Sequence, residues 1–133
     1  MKMKIGQIVN QQFSKAVLQL AENKDLPLLV QWDIATVTKE VGKIEKRFAE
    51  LNKKLVEKYE TGKDENGQPR VESSKLDEAK RKEFIGEYTA LMEKQVDMPL
   101  PKKIKIPAQV NGKDITGISP GTLVILDDLI ERA

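Results

Sequence analysis

The hydrophobic pattern of the chain switches between two periods, and each switch marks the edge of an element. Met1, Met3 and Ile5 alternate with Lys2 and Lys4, a period of two that predicts a short strand with one wet face. From Gly6 the spacing lengthens. Val9, Phe13, Ala16, Val17, Leu20 and Ala21 recur in steps of three and four, which predicts an amphipathic helix over 6–23. Asn23-Lys24-Asp25 breaks it, and Pro27 suits the first turn of the next helix, where its missing N–H has no intrahelical partner. The strongest pattern follows. Ile34, Val37, Val41, Ile44, Phe48, Leu51 and Leu55 alternate three- and four-residue steps without a miss, and Val30 extends the series backwards. A helix over 27–60 is predicted, about 50 Å long at about 1.5 Å per residue, which exceeds the width of a domain of this size.

The stretch 61–73 is polar and carries Asn66-Gly67 and Pro69, so it reads as a loop. Ser74, with Asp77 and Glu78 close behind, offers an N-cap and an acidic first turn. Leu76, Ala79, Ile85, Tyr88, Leu91, Met92 and Val96 then mark a helix over 74–97. This second arm is the expected antiparallel partner of the long helix. It is too short to cover it, so the end near Asn52 to Tyr59 and the loop to Ser73 are expected to stay open. Ile104, Ile106, Ala108 and Val110 share one face of an alternating run, Asn111-Gly112 is a favoured two-residue turn, and Ile115 to Ile118 supplies a return strand. A β-hairpin over 102–118 results, with Pro107 confining its strand to an edge or bulge. Ser119-Pro120 then reads as an N-cap followed by proline at the first helical position of a helix over 119–132. The expected fold is α+β and mainly α. A long antiparallel helical hairpin is flanked by N- and C-terminal helices and a small antiparallel β-sheet, all in one domain, 1–133.

Composition agrees with that architecture and narrows the chemistry. The chain has 133 residues, 39% hydrophobic and 33% charged but only 5% aromatic, so burial rests on Leu, Ile and Val. The formal net charge is +2, which gives no field for general nucleic-acid or membrane attraction. Cys and His are both absent. Disulfides, thiolate nucleophiles, imidazole bases and the usual zinc ligands are therefore excluded, and a catalytic role is hard to build. No run approaches the length of a signal or a membrane span, so a soluble cytoplasmic protein is expected.

The order Lys-Ile-Gly-Gln-Ile-Val-Asn, Asp-Leu-Pro-Leu-Leu-Val, Glu-Lys-Tyr ahead of Lys-Asp-Glu-Asn-Gly, and Ile-Ser-Pro-Gly-Thr-Leu-Val-Ile-Leu resembles a family of small proteins of unknown function encoded by phages and prophages of Gram-positive bacteria. The resemblance runs over nearly the whole chain and is carried by the order of its segments. It implies a phage accessory protein made in the cytoplasm of the infected host, and it brings no catalytic residues.

Candidate sites are few. The stripe Ile34, Val37, Val41, Ile44, Phe48, Leu51 and Leu55 is an interface, satisfied inside the chain by the second arm and extended by self-association into a homo-oligomer. Lys102, Lys103 and Lys105, with Arg70 from the Pro69-Arg70-Val71 turn, are candidates for an anionic ligand such as a nucleotide. Outward lysines also protect short edge strands from pairing with other chains, and that reading is favoured. Asp127-Asp128 with Glu131, and Asp33 with Glu40, lack any supporting nucleophile or metal spacing and read as solvated helix faces. Trp32 reads as core packing against the first helix. No cofactor or metal is expected. The function that follows is non-catalytic binding that serves a phage, through a host protein or by sequestering an anionic nucleotide signal of host defence. The alternative is a structural or assembly protein of the particle.

Overall fold

A computed structural model describes all 133 residues. The opening alternation becomes β1 (Lys2–Lys4), with Met3 buried between two exposed lysines. A single helical turn, α1 (Ile5–Ile8), follows, and the next helix, α2, spans Gln11–Ala21. The expected helix over 6–23 is thus two helices. Asn10 divides them, because its side chain accepts from the Gln12 N–H and caps α2.

α3 (Leu28–Lys58) runs uninterrupted for 31 residues. Beyond it the chain does not simply loop. β2 (Gly62–Lys63) and β3 (Pro69–Arg70) pair antiparallel around a turn in which Asp64 accepts from the N–H groups of Asn66 and Gln68. A 3-10 turn at Ser73–Lys75 leads to α4 (Glu78–Glu93), which is capped by Asp77 rather than Ser74. α4 also stops short of the expected 97. Gln95–Asp97 forms β4, antiparallel to β1 with Met3 opposite Val96.

The expected β-hairpin over 102–118 is divided. β5 (Ile104–Ile106) ends at Pro107, and the hairpin proper is β6 (Gln109–Val110) with β7 (Lys113–Asp114). Asn111 and Gly112 stand at φ +52° and +79°, the geometry that dipeptide favours. β5 pairs with the chain terminus instead. α5 (Pro120–Ile125), capped by the Ser119 side chain, covers only part of 119–132, and β8 (Ile130–Arg132) lies parallel to β5. The small sheets are otherwise antiparallel, and the chain is mainly helical, as expected.

The core explains why α3 holds its length. Ile34 and Val37 meet Val17 and Leu20 of α2, Ile104 of β5, and Leu126, Leu129 and Ile130 around an apolar void of only about 10 Å³. The first half of the heptad stripe therefore packs into a head built by α1, α2, α5 and the β5/β8 pair. Only the far end of α3 lies against α4. Lys58 contacts Glu87 and Tyr59 contacts Phe84, an order that makes the two helices antiparallel. The Met92 side chain closes the other end of α4 against Gly6. The stripe thus has two partners, where a single helical arm was expected. No helix is long and apolar enough to cross a membrane.

Candidate functional site

The basic residues proposed for an anionic ligand do not converge. Lys105 lies exposed between buried Ile104 and Ile106 on β5, against the head. Arg70 sits beyond the opposite end of α3, where its guanidinium pairs with Glu72 at 2.8 Å. The helix between Val37 and Lys58 separates the two regions by about 30 Å at about 1.5 Å per residue. Lys102 and Lys103 are exposed and enter no ion pair. Arg70, Lys102, Lys103 and Lys105 therefore share no pocket. Every buried side-chain nitrogen and oxygen has a hydrogen-bond partner, and no group of three or more acidic side chains is gathered at metal-binding distance.

The apolar stripe divides by environment. Ile34, Val37, Val41 and Leu55 are buried and Ile44 and Phe48 half-buried, so these six are internal contacts of one chain. Leu51 alone is exposed, at 41%. The open end of α3 also lies where the sequence did not place it. Leu55 and Tyr59 are buried, Tyr59 against Phe84, and β3 also lies against α3, while Leu28, Leu29 and Trp32 at the helix start are 81%, 82% and 74% exposed. Trp32 is a surface residue, contrary to the expectation of core packing.

Two apolar surfaces lie on α3 and α4. The first is that helix start. The second is the arm formed by the end of α3 and by α4. α4 carries Ile85, 53% exposed, and Tyr88, 38% exposed, and buries none of its side chains. On its inner side Phe84 packs edge-on to Tyr59, and the Lys58 ammonium donates to Glu87 Oε1 at 2.9 Å. That bond holds the Glu87 carboxyl below its ordinary value and the Lys58 ammonium above its own. Hydrogen bonding to Glu87 raises the Tyr59 phenol as well. These groups fasten the arm and leave its outer side free.

Sequence periodicity could not find either surface, because it reports that a face is apolar and not which neighbour covers it. One signal was present. Leu28-Leu29 with Trp32 falls outside the heptad positions of Ile34 to Leu55, and an apolar residue off the seam needs its own explanation. No protein-family model, no curated protein and no solved structure matches the chain.

Proposed function

We infer that this is a non-catalytic binding protein that grips a protein target with the α3/α4 arm. One observation carries the reading. α4 is a 16-residue helix with no fully buried side chain, yet it displays Ile85 and Tyr88 to solvent. A helix with no fully buried side chain gains little from its own fold, and a target that covers its outer side would supply further burial. The separation of Arg70 from Lys102, Lys103 and Lys105 favours a protein target over a small anionic nucleotide. The resemblance of the chain to phage-encoded proteins favours a target in the host cytoplasm, as part of a phage's countermeasures against its host.

The test is recovery of partners from host extract by wild type and by an Ile85→Asp/Tyr88→Asp variant, alongside native mass spectrometry of the purified protein. The expected result is a host protein retained by wild type and lost by the variant. Identical recoveries from both proteins would remove the arm from the reading. The length of α3 also suits a structural or assembly protein of the particle, and detection in purified virions would favour that alternative.

A further inference from the structure

We propose that the start of α3 is a homodimer interface, in which Leu28, Leu29 and Trp32 of two copies meet across a two-fold axis with their helices antiparallel. This rests on a different surface from the arm and stands or falls without it.

Three large apolar side chains within two helical turns are all more than 70% exposed. Together they present on the order of 450 Å², near the upper end of what a monomer leaves open. A two-fold interface uses the same patch twice. Two such patches with their rims bury about 1,000 Å², the lower bound for a specific contact. Any other partner would have to bring its own apolar patch, whereas a second copy has one by construction.

Shape and charge fit the same register. With Trp32 facing Trp32 of the partner, Leu29 of one copy lies over Ala35 of the other. Ala35 borders a groove of about 420 Å³ between α2 and α3, lined also by Ala21, Gln31 and Thr38, which gives the leucine room. Full-length antiparallel overlap with the axis between Gly42 and Lys43 would instead put Lys39 against Lys46 and Glu40 against Glu45, so like charges oppose it. The contact is thereby confined to the helix start, and the two arms point in opposite directions.

Sedimentation velocity from about 1 to 200 µM tests this, with association expected in the micromolar range for an interface of this size. Trp32 is the single tryptophan of the chain, so its emission should shift to the blue as concentration rises. All the variants change exposed residues, and circular dichroism checks that each remains folded. Trp32→Asp should be monomeric throughout. Leu29→Asp, on the same face, should weaken association on the order of tenfold or more. Ile85→Asp/Tyr88→Asp should dimerise as wild type does, which separates this result from failure of the arm. A wild-type monomer at 200 µM or a dimer that survives Trp32→Asp would each overturn the proposal.

Discussion

The ring of Phe84 stands edge-on to that of Tyr59, with centroids 5.4 Å apart and planes at 75°. Tyr59 closes the last turn of α3 and is 6% exposed, so this contact joins the end of one helix to the middle of the other. Phe84→Ala removes the ring that covers Tyr59 and should cost about 2 kcal/mol, the sum of lost burial and the aromatic pair. Urea unfolding reads the total. Hydrogen exchange should place the loss in Glu78–Glu93, and equal acceleration across α2 would contradict a contact local to the arm.

Glu87 gives the arm a pH dependence with a defined sign. Its carboxyl lies below the ordinary value of 4.5 because Lys58 donates to it, so its contribution is present above that value and fades as pH falls through the folded one. Lys58 lies above its ordinary value of 10.5, so the same contact is also lost as pH rises past that point. The effect is small because the pair is exposed. Thermal midpoints of Glu87→Gln and wild type should differ between pH 5 and 9 and converge near pH 3. A constant difference at all pH values would assign the effect to packing.

Burial separates two neighbouring residues near the C-terminus. Leu126 is 1% exposed and lines the junction of α2, α3 and β5, whereas Val124 is 72% exposed. Leu126→Ala should cost about 2–5 kcal/mol. Val124→Ala should stay within about 0.5 kcal/mol. Comparable losses in chemical denaturation would mean that α5 docks differently.

Glycine positions offer a contrast of the opposite sign. A Cβ on Gly86 or Gly42 meets nothing within 4 Å, whereas one on Gly6 comes to 3.2 Å from the Met92 carbonyl oxygen. Gly86→Ala and Gly42→Ala lie inside helices and should each stabilise by about 0.5–1 kcal/mol. Gly6→Ala should destabilise by about 1 kcal/mol, since α1 and α4 must move apart by a few tenths of an ångström. Melting curves of the three variants decide the matter.

Much of this architecture is legible in the sequence where the determinant is local. The heptad from Ile34 to Leu55 yields α3, Asn111-Gly112 yields its turn, and Ser119-Pro120 yields the cap of α5. Misplacements arise where two readings share a spacing. Val9 to Phe13 is a four-residue step that carries the helical phase straight across the Asn10 cap. Leu126, Leu129 and Ile130 keep helical spacing although Ile130 begins a strand, because its partner Ile104 is remote in sequence. Gln95-Val96-Asp97 is too short to announce alternation. Of the surfaces, only composition was readable. Which end of α3 stays open depends on Phe84 reaching Tyr59 and on β3 folding back against α3, a long-range event that no local pattern encodes.

α3 belongs at once to the head and to the arm, and its single ladder of backbone hydrogen bonds crosses the border between them. Opening of the arm can therefore fray the helix from Lys58 back towards Phe48 while Ile34, Val37 and Val41 stay locked in the head. One helix would then carry two levels of local stability, graded along its length. A ligand on the arm would slow exchange in the last turns of α3 and leave the first unchanged, so the helix itself reports which end is occupied.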